Sequence, residues 1–267
     1  MSTVFLTGSH PRHAAMARTI FDSGSLEALV IERREDHVPM PPPDLSQKLN
    51  RLFMLHFERR EASESEHFGK SQFPDVPTLI IERNELNGDH VRKWLQQFHP
   101  DLLLSYGVHL LDERILQIPN RKSWNIHGGL SPWYRGVITH FWPSYFLEPQ
   151  FTGMTVHETT DAVDGGAIIH QTRAELVRGD GIHDLSCRAV RSLLPDISRL
   201  LRAFHDSATI TPQPQTTTGR IWRSADWRPE HLRQIYDFYD DSIVDLYLNG
   251  EFSQREPRLL RQQIVTE

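Results

Sequence analysis

Cysteine is nearly absent: Cys187 is the only one among 267 residues. A single thiol forms no internal disulfide, and the paired-cysteine spacings of structural zinc sites are excluded with it. A reducing, cytoplasmic setting is the expectation. Long apolar runs are lacking too. No window approaches the roughly 18 apolar residues of a membrane span, so no membrane partner is expected. The first residues, MSTVFLTGSHPR, lack the basic region and apolar core of a secretory signal. Positive charge is not in excess either. The 29 Lys and Arg stand against 35 Asp and Glu, a net charge of −6, without the basic footprint of a general nucleic-acid binder. Four motifs are missing as well: GxSxG, GxGxxG, GxxxxGK[ST] and HExxH. Nucleophile-elbow hydrolases, dinucleotide-binding Rossmann domains, P-loop enzymes and HExxH metalloenzymes thereby lose their main support, and no metal is expected.

What is present suits a globular α/β chain. The sequence is 38% hydrophobic, enough at this length to bury a sizeable core. Short apolar runs at 3–8, 26–32, 78–82, 102–107 and 123–127 read as strands. Helical periods at 12–24, 45–69, 88–98 and 112–117 separate them. This alternation predicts a mostly parallel twisted sheet with helices on both faces. Two further strands are expected at 152–159 and 167–176 around a polar turn, with helices at 137–147 and 183–205. The 45–69 helix is charged and amphipathic, an insertion over one face. Residues 211–220 read as a polar, Pro/Thr-rich linker. A helix is expected at 226–241, starting at Asp226 before Pro229 and Glu230. The expected division is a domain at 1–210 and a small C-terminal extension at 211–267.

The stretch 124-WNIHGGLSPWYRGVITHFW-142 carries the chemistry. Ligands of open α/β sheets bind at the carboxyl ends of strands. Asn125 and His127 fall at such an end, and strand alternation turns both to one side. Gly128 and Gly129 permit close approach of backbone or ligand. Asp164 lies in a glycine-flanked turn after another strand. An amide can stabilise an oxyanion, an imidazole can take a proton near neutral pH, and a carboxylate can orient that imidazole. The three together suit acyl-type transfer without an acylated side chain. Each has a plainer reading: an isolated Asn/His pair more often serves the fold, and Asp164 can be an ordinary turn former.

Beyond these residues, 100-PDLLLSYGVHLLDERILQIPNRKSWNIHGGLSPWYRG-136 resembles the core of the folate-dependent formyltransferases. So does 153-GMTVHETTDAVDGGAII-169. Asn125, His127, Pro132, Arg135, Gly136 and Asp164 occupy the positions of that family's N-x-H-x-S-hydrophobic-hydrophobic-P-x-x-R-G stretch and of its later Asp. Gly129 stands where the family usually has Ser, and Ser131 where a hydrophobic residue is usual. The resemblance implies a Rossmann-like formyltransferase fold, N10-formyltetrahydrofolate as donor and a primary amine as acceptor. It assigns the oxyanion to Asn125, proton transfer to His127 and the orienting carboxylate to Asp164. It places the pterin against Tyr106, Val108, His109 and Leu111, and against the turn at Asp161, Ala162, Val163 and Gly165.

Among relatives with this chemistry, nucleotide-sugar N-formyltransferases match the length best. Residues 211–267 hold seven Arg and no Lys against nine Asp and Glu, unsuited to tracking tRNA phosphates. The implied acceptor is the amino group of a nucleotide-linked aminodeoxy sugar, of the kind built into lipopolysaccharide O-antigen. Ser9 and His10, a partial echo of a phosphate loop, would contact it together with Trp133, Tyr134 and Arg135. For the aromatic residues, packing of an amphipathic helix is the other explanation. Small molecules are the expected partners, with a homodimer as the expected assembly. A glycinamide ribonucleotide-type or other small-amine formyltransferase and a formyl-folate hydrolase are the alternatives.

Overall fold

A computed structural model describes residues 2–36, 38–70, 72–217 and 219–263. Five strands follow the expected alternation: β1 (Thr3–Thr7), β2 (Leu26–Glu32), β3 (Thr78–Ile81), β4 (Leu102–Tyr106) and β5 (Lys122–His127). They are followed by β6 (Tyr134–Gly136), β7 (Gly153–Glu158), β8 (Ile168–Arg173) and β9 (Arg220–Trp222). Seven strands form one sheet in the order β3-β2-β1-β4-β5-β7-β8, and β6 with β9 makes a separate pair. The first five are parallel to one another, whereas β7 runs antiparallel to both β5 and β8. The architecture is therefore mostly parallel α/β, as the alternation of elements implies.

The helices are α1 (Pro11–Asp22), α2 (Gln47–Phe68), α3 (Asp89–Gln96), α4 (Glu113–Leu116), α5 (Trp142–Tyr145), α6 (Ile182–His205) and α7 (Ile243–Leu248). Strand alternation divides the core between the two faces. Phe5, Leu29, Leu102 and Leu104 pack against Met16 and Ile20 of α1 and the apolar stripe of α6. Val4, Leu6, Val30 and Leu103 face Val91 and Leu95 of α3 and Ile115 of α4. Burial of aliphatic side chains on both faces explains why these strands read as continuous apolar runs.

Helix ends follow local chemistry. Proline opens α1, where a missing N–H costs no helical bond. At the start of α2 the Ser46 hydroxyl accepts from the Leu49 N–H at 3.3 Å. The helix stops at Gly69, whose φ of +69° suits glycine.

Three expectations change. The 137–147 segment is helical only over Trp142–Tyr145, because the chain first passes through a left-handed residue, Ile138, at φ +59°. The 226–241 segment is not one helix. It breaks into a 3-10 turn at Pro229–His231 and a π turn at Gln234–Phe238, then ends on Asp240 and Asp241, both at positive φ. Its apolar residues Leu232, Ile235 and Tyr236 enter a second core with Leu52 and Phe53 of α2 and Trp142 of α5. Third, the 211–220 stretch does not span open solvent as a linker. Gln213 exchanges two backbone hydrogen bonds with Ile168, both at 2.8 Å, and β9 pairs in parallel with β6.

Candidate active site

The site is built where β4, β5 and β7 lie side by side. Ser105 of β4 is opposite Asn125 of β5, and β7 brings His157 opposite Asn125 from the other side. The Ser105 hydroxyl donates to Asn125 Oδ1 at 2.8 Å. This sets the orientation of the amide, so Nδ2 faces His157 Nε2 at 3.1 Å. His157 Nδ1 donates to the Glu158 carbonyl at 2.8 Å, which makes Nε2 the acceptor in the neutral ring. An amide nitrogen carries two hydrogens, and His157 takes one of them.

His127 is two residues on and buried. Its Nε2 donates to the Tyr134 carbonyl at 2.8 Å, because a carbonyl only accepts. In the neutral ring Nδ1 is then the basic nitrogen, and it lies 3.4 Å from Asp164 Oδ2. Gly129 makes this arrangement possible. A Cβ there would sit 2.5 Å from His127 Nε2 and 2.6 Å from the Tyr134 carbonyl oxygen, so any side chain would displace that bond. The departure at 129 thus has a physical counterpart. At the other departure, Ser131 is buried with its N–H on Thr155 Oγ1 at 3.0 Å.

Asp164 sits in the turn between β7 and β8 at φ +45°, a conformation that Asp tolerates better than most residues. Its Oδ2 accepts from the Gly136 N–H at 2.7 Å, and Oδ1 lies 3.4 Å from His157 Nε2. Burial alone would push this carboxyl up, but the two histidines in their protonated forms and the Gly136 N–H outweigh it and hold it well below the usual carboxylate range. Burial dominates at His127 and lowers its pKa, although Asp164 and the Tyr134 carbonyl pull the other way. A buried ring with a basic nitrogen facing an ionised carboxylate can take up a proton and have the resulting charge offset. The amide, imidazole and carboxylate named from sequence thus meet in one cluster.

Sequence reasoning missed His157, Ser105 and the Gly136 N–H. His157 lay in a quoted motif, and its alternation with Thr155 was readable. Its position opposite Asn125 needed the antiparallel register of β5 and β7, which no local signal gives.

The remaining named residues are dispersed. In the loop after β4, Tyr106 is buried edge-on to His13. The His109 N–H donates to Glu32 Oε2 at 2.9 Å and its ring pairs with the same carboxylate, while Val108 and Leu111 pack on the α3 side. In the turn, Asp161 and Ala162 are exposed, the Val163 carbonyl accepts from Arg135 Nε and Nη2 at 3.1 and 2.6 Å, and Gly165 lies under the Arg135 guanidinium. Ser9 Oγ accepts from the Arg34 N–H at 3.1 Å, and His10 Nε2 donates to the Glu35 carbonyl at 2.9 Å. Trp133 and Tyr134 pack edge-on against Phe151, and the Tyr134 hydroxyl donates to Glu148 at 3.0 Å. These contacts describe packing for the two aromatics and bracing of the Asp164 turn for Arg135.

Two surface clefts of about 440 and 450 Å³ lie away from the cluster, one lined by Arg59, Asp184 and Asp241 and the other by Arg92 and Arg114. Neither brings an amide, an imidazole and a carboxylate together, so the chemistry favours the cluster at β5. Among the described residues, no group of three or more His, Cys, Asp or Glu is placed to hold a metal ion, and no helix is long and apolar enough to cross a membrane.

The family model described as formyl transferase matches residues 54–192, more than half of the chain. The chain belongs to the formyl transferase family. It is a formyl-transferring enzyme, and solved structures share its fold at low identity. A 4-N formyltransferase from Francisella tularensis is 15% identical over 84% of this chain and 77% of its own, with a TM-score of 0.55. A formyltransferase from Anoxybacillus kamchatkensis, solved with UDP-4,6-dideoxy-4-formamido-L-AltNAc and tetrahydrofolate, is 16% identical over 91% and 97%, with a TM-score of 0.53. Phosphoribosylglycinamide formyltransferase from Anaplasma phagocytophilum is 18% identical over 84% and 98%, with a TM-score of 0.52.

Proposed function

We propose that this enzyme moves the formyl group of N10-formyltetrahydrofolate to the primary amine of a nucleotide-linked aminodeoxy sugar. The observation that carries the reading is the joint placement of Asn125, His127 and Asp164 at the ends of β5 and the β7–β8 turn. The acceptor amine attacks the formyl carbon, and the carbonyl oxygen becomes an oxyanion. The second Nδ2 hydrogen of Asn125 donates to that oxygen. The attacking nitrogen loses a proton to His127 Nδ1, and ionised Asp164 offsets the imidazolium charge. Breakdown returns the proton to N10 as the carbon–nitrogen bond to folate breaks, so atoms and charge balance. The relative solved with tetrahydrofolate and a formamido-sugar nucleotide supports both substrate classes, and the chain spans nearly all of that relative's length.

The test supplies N10-formyltetrahydrofolate with a panel of amino-sugar nucleotides, with phosphoribosylglycinamide, and with no acceptor. The expected product is one sugar nucleotide heavier by one CO in a mass spectrum. Formylation of phosphoribosylglycinamide alone would replace the acceptor class. Release of formate without any acceptor would make the enzyme a hydrolase.

A further inference from the structure

The strand of chain leaving α6 runs beside the Asp164 turn and is tied to it. Gln213 bridges to Ile168 at the start of β8. Two residues on, Gln215 Nε2 donates to the Asp164 carbonyl at 2.7 Å and to the Gly166 carbonyl at 2.9 Å. One NH2 group thus spans the residues on either side of Gly165. Farther along, Gly219 lies so close to Pro132 that a Cβ would fall 1.5 Å from the Pro132 carbonyl oxygen. β9 then pairs with β6, whose Gly136 supplies the N–H that binds Asp164 Oδ2. The segment therefore grips Asp164 twice, by its backbone through Gln215 and by its carboxylate through the β6–β9 pair.

Asp164 is left-handed and partly buried, in a turn whose tip, Asp161 and Ala162, is exposed. Arg135 on the Val163 carbonyl, the Gly165 N–H on the Ala162 carbonyl at 3.1 Å and the Gly136 N–H on the carboxylate tie the turn as well, but none of them holds the Asp164 and Gly166 carbonyls. Without Gln215, two half-buried carbonyls lose a donor and the turn is free to relax toward solvent. The geometry points to Gln215 as a positioning residue for formyl transfer, one that holds the Asp164 carboxylate against His127 and His157. The C-terminal extension is then part of the catalytic centre. This rests on the reading of Asp164 as part of the transfer site.

The test compares Gln215→Met, similar in length but without donors, with Gln215→Lys, which keeps donors at a similar reach. NMR of the free protein reads the Gly136 amide proton, deshielded by a carboxylate partner, and the titration of the His127 ring. In the Met variant the Gly136 amide is expected to move upfield. His127 is expected to titrate lower by roughly half a pH unit, because a receding Asp164 no longer favours the charged ring. Turnover with an accepted amine is expected to fall on the order of ten- to a hundredfold, with KM little changed. The Lys variant, whose added charge itself disfavours a protonated His127, is expected to keep the wild-type Gly136 amide shift and turnover. An unmoved Gly136 amide and His127 titration in the Met variant would overturn the inference. So would a collapse of its fold, or changes spread evenly through the sheet, either of which would make Gln215 a purely structural residue. Asp164→Asn examined alone separates the two ideas: full turnover there would remove the reading of the site and leave the Gly136 result untouched.

Discussion

Asn125 is held from two sides before any substrate arrives, by the Ser105 hydroxyl on its oxygen and by His157 on its nitrogen. Such preorganisation makes an oxyanion donor effective, since nothing has to reorient as charge develops. Asn125→Ala is expected to lower kcat about 100- to 1000-fold with the melting temperature little changed, as a partly exposed amide at a strand end contributes little to the core. Kinetics alongside thermal melts check this, and near-normal kcat would remove Asn125 from the chemistry. At this scale the sequence was informative where one strand sufficed. Asn125 and His127 share a face because they are two apart, and a single strand shows that. Asp164 was legible as a carboxylate in a glycine-flanked turn, and the family's motif assigned its role. His157 and Ser105 were opaque because each reaches Asn125 only across a strand pairing, and pairing is a property of the sheet.

Elements that bury both faces were legible, because the physics that makes them strands is local and repetitive. The sheet strands β1 to β5 lie close to where their apolar runs predict. The C-terminal elements were not, because their conformation is set by what they touch. The Pro/Thr-rich stretch reads as a linker from composition, yet Gln213 pairs its backbone with Ile168, the Gln215 side chain bonds two backbone carbonyls and Gly219 fits against Pro132. The period across 226–241 suggests a helix, but Asp240 and Asp241 turn left-handed and Trp227, Tyr236 and Tyr239 are recruited to the second core, while Phe238 stays exposed. There Trp222 stacks on Trp142 with ring centroids 4.1 Å apart. Gly219→Ala tests how firmly this extension is seated. The added methyl meets backbone at Pro132, which cannot swing aside as a side chain would. The β6–β9 pair has to open, at a cost of about 1–3 kcal/mol. Urea unfolding measures it, and an unchanged midpoint would mean that the 219 contact is loose in solution.

Across the whole molecule, charge is stored in an unusual way: His13, His56 and His183 are buried near Arg12, Arg60 and Glu64. Burial is the largest cause at each and lowers the pKa, to about 3 at His183. Neighbouring positive groups act in the same direction: Arg12 and His10 on His13, His183 and Arg60 on His56, and Arg60 on His183. Glu64 opposes them at His13 and His183. These rings are neutral in the folded protein where the unfolded chain would already be protonated. Above the ordinary histidine value near 6.5 both states are neutral and the rings leave stability unchanged. Below it the unfolded chain binds more protons, so stability falls as pH falls. The slope approaches about 1.4 kcal/mol per pH unit for each ring and about 4 kcal/mol for the three together. Asp164 adds a separate loss with the same sign but lower in pH. Its folded pKa is depressed, so its contribution is complete above the unfolded carboxylate value and disappears below it. Unfolding free energies from urea titrations should therefore be level between pH 8 and 7 and decline steeply from about 6 to 5. The loss by pH 5 comes to about 6 kcal/mol, comparable to the lower end of ordinary domain stability, about 5–15 kcal/mol. A flat profile from pH 7 to 5 would mean that water reaches these rings and that their surroundings are more open than the packing indicates.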